Sequence, residues 1–209
     1  MRAAPDVYAT ARGPLARLAG PVAARLRARR HELLFGLTGL DRLGRPARIL
    51  DVGCGTLGLR AQAPDLDVTG VDLVPRPTYP GPFVQADATR GLPFAEGAFD
   101  LVYCSSVIEH VAPEQRAALC RELLRVGRGV YVQTPAWSFP IEPHALLPVA
   151  HWLPPAIRRP YWRLGAQGHW EDVRLLRRGE LARLLPGTTV HGEAVGPVTK
   201  SWIAVRPVA

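Results

Sequence analysis

The sequence predicts an α/β protein: a mostly parallel sheet with helices on both faces, closed at its C-terminal end by an antiparallel hairpin. Two observations carry this. Short apolar runs alternate with helical stretches between residues 48 and 134, which is the pattern of strand–helix–strand units in a parallel sheet. Two further strand-like runs, Thr188–Ala194 and Ser201–Val205, are placed to pair as a hairpin. At 209 residues the chain has the length of one domain with room for a proper core.

The elements follow in order. Residues 14–35 read as a helix: Pro14 suits the first helical position, Leu15, Leu18, Val22 and Leu26 make an apolar stripe, and Pro21 kinks it. Residues 36–47 are a Gly-rich connector. Arg48–Val52 is an apolar run closing on Gly-Cys-Gly, a buried strand entering a tight loop. Val68–Asp72, the weaker Phe83–Ala86, Phe99–Cys104 and Gly129–Thr134 are further strands. Pro113–Val126 is a helix with Leu119, Leu123 and Val126 on one face. Residues 135–170 have no clear period, are dense in proline and hold four of the five tryptophans. Such a segment inside a compact domain reads as a functional wall or lid rather than as disorder. A helix returns at 178–185 before the hairpin.

Composition bounds the function. Hydrophobic residues are 47% and charged residues 21%, which excludes global disorder. No apolar run reaches the roughly 18 residues of a membrane span; the nearest, Ala145–Ile157, is broken by Pro148, Pro154 and Pro155. The N-terminus lacks the apolar core of a secretory signal. Cys54, Cys104 and Cys120 form no CxxC, which argues against a disulfide framework or zinc knuckle. These features predict a cytoplasmic chain. The net charge of +8 comes from 26 basic residues, of which Lys200 is the one lysine, a bias that fits GC-rich coding better than a nucleic-acid function. Seven arginines fall in the first thirty residues, but on a helical projection they do not line one face. A solvated basic surface is the first reading and an anionic partner the second.

The strongest motif is Ile49-Leu-Asp-Val-Gly-Cys-Gly-Thr56 followed by Val68-Thr-Gly-Val-Asp72. Glycines after a strand let a ligand approach the backbone closely. Asp72 ends the next strand 21 residues after Asp51, where an α/β nucleoside site takes both ribose hydroxyls on an acid.

With QAD at 85–87, LPFAEGAFDLVYCSSVIEHV at 92–111 and RELLRV at 121–126, these motifs resemble the class I S-adenosylmethionine-dependent methyltransferases, in the branch called methyltransferase type 11. The resemblance covers residues 47–134, with a weaker likeness at the hairpin. It implies a Rossmann-like, doubly wound, mostly parallel seven-stranded sheet with an antiparallel C-terminal hairpin. It divides a single domain into an N-terminal helical cap (1–47), a cofactor-binding half (48–134), a substrate-side lid (135–178) and a C-terminal helix and hairpin (179–209).

The resemblance further implies S-adenosylmethionine as cofactor. Asp51, Gly53, Cys54 and Gly55 would line its methionine end, with Asp51 near the ammonium. Asp72 would hold the ribose, with Leu73 beside it. Asp87 would accept from the adenine amine, with the Ala88 backbone at the ring edge, and Cys104 and Ser105 would face the sulfonium. Glu109 and His110 would follow on the rim. One departure stands out: the third glycine of the family's loop would fall at Leu57, whereas Gly58 comes one position late, and the helix before Pro64 is short. Asp100 and the cysteines read as structural.

A base is needed only where the acceptor carries a proton that must leave. Glu142 and His144 flank Pro143 in an extended stretch and could form a pair; His110 is the other candidate, and an acceptor needing no base stays open. His144, His151 and Glu142 lack a spacing that compels a metal, and none is expected. Trp137, Phe139, Trp152, Tyr161 and Trp162 would wall an acceptor pocket or pack as core, and Arg158, Arg159 and Arg163 would suit transient contact with an anionic membrane surface. The expected acceptor is a small or lipid-linked molecule, methylated at O, N or C. The alternative is a non-catalytic regulatory protein that keeps the fold. Against nucleic acid, Cys104-Ser-Ser-Val107 stands where amino-directed enzymes carry Asn/Asp-Pro-Pro-aromatic. Oligomeric state has no signal in the sequence.

Overall fold

In the computed structural model, residues 29–30, 32–165, 170 and 172–208 are described. The predicted helix at 14–35 lies mostly outside them, including its Pro21 kink; residues 32–38 are helical.

Among the described residues there are nine strands: β1 (Arg48–Val52), β2 (Asp67–Asp72), β3 (Phe83–Gln85), β4 (Phe99–Ser105), β5 (Gly127–Pro135), β6 (Ile141–Glu142), β7 (Leu147–Pro148), β8 (Thr189–Val195) and β9 (Val198–Arg206). The labelled helices are α1 (Gly58–Gln62), α2 (Pro113–Val126), α3 (Pro155–Trp162) and α4 (Arg178–Leu184). Seven strands form one sheet in the order β3-β2-β1-β4-β5-β9-β8, and β6 and β7 make a separate ribbon. β1 to β5 run parallel; β9 pairs antiparallel with β5 and β8 with β9. The order reverses between β1 and β4, and ligands of open α/β sheets bind outside the carboxyl ends of the strands at that point.

Strand alternation builds the two core layers. Leu50, Val102, Val132 and Ala204 turn to the face covered by Leu119 and Leu123 of α2 and Leu181 of α4. Their neighbours Ile49, Leu101, Tyr131 and Ile203 turn to the other, against Leu34 and Leu59. The strands are apolar on both faces because both are covered. Asp100, inside β4, is held at the sheet's far end by a bidentate Arg45 (2.8 and 2.6 Å) and the Arg48 amide (2.9 Å), and these partners pull its carboxyl down to about 2.

Two departures from the expected elements bear on the site. β2 returns to β3 without a crossover helix, through the proline-rich residues 73–82. The supposedly irregular segment after β5 contains the β6–β7 ribbon and the eight-residue α3. Pro155 sits harmlessly in the first turn of α3; Pro160 inside it broke the sequence period that would have announced the helix. Among the described residues, no helix is long and apolar enough to cross a membrane.

Candidate active site

β1 ends at the glycine loop. The Gly53 and Cys54 amides both donate to the Val71 carbonyl of β2 (2.7 and 3.1 Å), which bends the chain sharply across the strand ends. Gly53 has φ +74°, and a Cβ there would stand 2.2 Å from Val107, so no side chain fits. Gly55, also at positive φ, has nothing within 4 Å of where a Cβ would be: this is the loop's open side. Leu57, the expected third-glycine position, is exposed. Gly58 takes that steric role instead, because a Cβ on it would meet Asp51 Oδ2 at 2.6 Å.

Three carboxylates line the strand ends. Asp51 is 2% exposed, and its Oδ2 accepts from the Leu59 amide (2.6 Å). Burial pushes its carboxyl up to about 7, and the Leu59 bond only partly offsets this. Asp72 accepts from the amides of Gly55 and Val74 and from Arg76, and Leu73 follows it. Asp87, just past β3, is more open: its Oδ1 accepts from the Thr89 amide and hydroxyl (2.9 and 2.6 Å), with Arg90 3.7 Å from Oδ2 and Ala88 between them. An open glycine turn at the switch point, beside carboxylates on consecutive strands, suits a nucleoside carrying a cationic tail. S-adenosylmethionine fits that description.

Two residues stand differently from expectation. The Cys104 side chain is fully buried in the core layer beneath α2, so it offers no thiol to the strand edge. Ser105 hydrogen-bonds Gln133 Oε1 of β5 (2.6 Å). Glu109, expected on the rim, is entirely buried. The 3₁₀ turn Ile108–His110 tucks it under the end of β5, where Oε2 accepts from the Thr134 hydroxyl (2.9 Å).

That burial gathers a cluster that sequence spacing did not reveal. Glu142 lies at the tip of the ribbon; its Oε2 accepts from the Ala145 amide (2.5 Å), and its Oε1 is 2.7 Å from His144 Nδ1. The two residues thus pair across a turn rather than along an extended stretch. His144 Nε2 faces Glu109 Oε1 at 3.9 Å, and that oxygen has no hydrogen-bond partner among the described residues. The His110 ring stands edge-on to His144, centroids 4.8 Å apart. His110 and His144, alternatives in the sequence, are neighbours here. One donor atom from each of Glu109, His110 and His144 lies within 4.8 Å of the others, so the same side chains have the reach of a three-ligand metal site. His151 is turned away: its Nε2 lies 2.9 Å from the Trp137 carbonyl, and burial lowers its pKa. The signal for Glu109 was the Glu-His step in Val107-Ile-Glu-His-Val111, but only the β5 register shows which element covers it.

Comparison with known proteins bears on the family and the fold. Residues 50–129 match the methyltransferase domain family. The chain is 30% identical over 174 residues to a ubiquinone biosynthesis O-methyltransferase of Aromatoleum aromaticum, covering 74% of this chain and 70% of that one. It is 35% identical over 142 residues to a demethylmenaquinone methyltransferase of Beutenbergia cavernae, covering 53% and 57%. Among solved structures, the PH0226 protein of Pyrococcus horikoshii superposes with a TM-score of 0.60 at 18% identity, over 89% of this chain and 91% of that one. The 1,6-didemethyltoxoflavin-N1-methyltransferase of Burkholderia thailandensis superposes at 0.53 and 18%, over 98% and 90%. The sheet order and the match along most of the Aromatoleum relative lead to one assignment: the chain belongs to the class I S-adenosylmethionine-dependent methyltransferases and takes its methyl group from S-adenosylmethionine.

Proposed function

We propose that the chain methylates a hydroxyl oxygen of a small, ring-bearing acceptor of the quinone-precursor type. The observation that carries this is the buried Glu142–His144 pair beside His110: a proton acceptor is built where the acceptor-side segment meets the end of β5. When bound, S-adenosylmethionine supplies an electrophilic methyl on a sulfonium that is already a good leaving group. The protein's task is then alignment and proton removal.

On this reading the glycine loop, with Gly53, Cys54 and Gly55, lets the cofactor lie against backbone. Asp51 holds its ammonium, Asp72 its ribose hydroxyls with Leu73 alongside, and Asp87 the adenine amine with the Ala88 backbone at the ring. Cys104 and Ser105 close the strand-four side, Cys104 through its backbone. His144 receives the acceptor's proton at Nε2, and Glu142 fixes the opposite nitrogen as the N–H and stabilises the imidazolium. His110 packs on that ring and completes the catalytic set. The relatives' names, one an O-methyltransferase of ubiquinone biosynthesis and one a demethylmenaquinone methyltransferase, support a quinone-type acceptor.

A lipid-linked acceptor at a membrane surface is the extension of this reading. Leu146 (63%), Ile157 (55%) and Leu164 (77%) are exposed along the acceptor-side segment, with Trp152 and the arginines of α3 nearby. The test is turnover of labelled cofactor with hydroxylated aromatic acceptors, with and without a prenyl tail, and with the product located by mass spectrometry. Methylation on carbon or nitrogen alone would remove the oxygen assignment.

A further inference from the structure

Asp72 has one acceptor position too few for a ribose diol. A carboxylate offers about four lone-pair sites, two on each oxygen. Oδ1 accepts from the Val74 amide (3.0 Å), which leaves one site. Oδ2 accepts from the Gly55 amide (3.0 Å) and from Arg76 Nε (3.0 Å), which leaves none. A diol that bonds one hydroxyl to each oxygen must therefore displace a donor from Oδ2.

The two donors differ in freedom. The Gly55 amide belongs to the loop that Gly53 and Cys54 pin to β2. Arg76 donates from a side chain whose backbone is fixed. Prolines 75 and 77 flank it, the Tyr79 amide closes a turn on its carbonyl (3.0 Å), and Arg60 holds the Pro80 carbonyl (2.7 Å). Tyr79 fills the space under the glycine loop, its ring 2.8 and 2.6 Å from where Cβ atoms on Gly58 and Gly70 would be. The Arg76 side chain, 18% exposed, is held at Asp72 by this ion pair and not by the turn that fixes its backbone.

We propose that Arg76 competes with the cofactor for Asp72: it occupies the second ribose-binding position, gives way to a ligand that presents both hydroxyls, and thereby lowers that ligand's affinity. A ligand with one hydroxyl takes the remaining Oδ1 site and leaves the ion pair in place. The proposal rests on Asp72 being the ribose acid.

The test is calorimetry of S-adenosylhomocysteine and its 2′-deoxy analogue with the parent, R76A and D72N, each shown to be folded by its thermal melt. A partly exposed ion pair no longer has to be broken in R76A, so S-adenosylhomocysteine should bind about two- to fivefold more tightly. The 2′-deoxy analogue should gain nothing. Unchanged or weaker binding of S-adenosylhomocysteine to R76A would overturn the proposal. Equal gains for both ligands would also overturn it, since removing a positive charge would then act on any ligand alike. D72N should weaken S-adenosylhomocysteine. If it does not, the ribose lies elsewhere and the cofactor placement falls together with the proposal, whereas a D72N loss combined with equal gains in R76A removes the Arg76 reading alone.

Discussion

Asp51 is a carboxylate in a place where a lone charge is costly. It is 2% exposed, and burial raises it from 3.8 to about 7. A ligand ammonium beside it would need the ionised form, so cofactor affinity should depend on pH. With the free protein titrating near 7, about nine-tenths of Asp51 is protonated at pH 6, and affinity there should be roughly tenfold below its value at pH 8. The sign is fixed: the complex holds fewer protons than the free protein, so binding tightens as pH rises and then levels off above 7. Calorimetry of S-adenosylhomocysteine in two buffers of different ionisation enthalpy, near pH 6.5, should show protons released on binding. Asp51→Asn should bind more weakly at pH 8 and lose the slope between 6 and 8. The same group governs stability in the opposite sense. The folded state keeps a proton that the unfolded state has lost, so stability falls as pH climbs from about 4 to 7, by about 4 kcal/mol if Asp51 ionises unpartnered. A parent protein whose cofactor affinity is flat from pH 6 to 8 would refute the placement of the ammonium on Asp51.

Other expectations follow from the same geometry. Asp72→Ala removes bonds to a charged acceptor worth ~1.5–3 kcal/mol and should weaken cofactor binding by about 10- to 150-fold in calorimetry. His144→Gln should lower turnover by ~10²–10⁴-fold and leave cofactor affinity within a factor of a few; a variant with the parental rate removes the base. Gly53→Ala combines positive φ with a contact on Val107 that the neighbours must relieve, and should cost about 1–3 kcal/mol in denaturant unfolding.

The cofactor side was legible in the sequence because its signals are local. A strand, its terminal acid and the glycine turn are consecutive residues, and Asp51 and Asp72 fall at strand ends that apolar runs mark directly. Gly58 shows the limit even there. Its place in the chain looks like a missing glycine at Leu57, and only the approach of Asp51 Oδ2 shows that the steric need is met one residue later. The acceptor side was half legible. Glu142 and His144 are two apart and could be paired by eye, but through a turn rather than the extended stretch expected. The meeting of Glu109 with His144 joins a 3₁₀ turn after β4 to a ribbon after β5, and no sequence period encodes that distance. Arg76 was silent for a similar reason: it stands in a proline-rich connection where the fold has no helix to predict.

The segment between β5 and α4 has a further property. Its two ends meet: Ala136 bridges Leu176, the Trp137 amide donates to the Leu176 carbonyl (3.0 Å), and buried Arg116 fastens the returning chain through the Arg174 carbonyl (2.7 Å) and Glu180 of α4 (2.6 Å). Between those ends it packs around its own small core of Ala145, Leu147, Ala150, Trp162, Val173 and Leu175. Chain that leaves and re-enters at one point behaves as a cassette. Its length and contents can change at a closure cost that grows only with the logarithm of length, while the sheet and the acids at its strand ends stay in register. Exchanging residues 137–175 between relatives should therefore carry the choice of acceptor with it and leave cofactor binding behind.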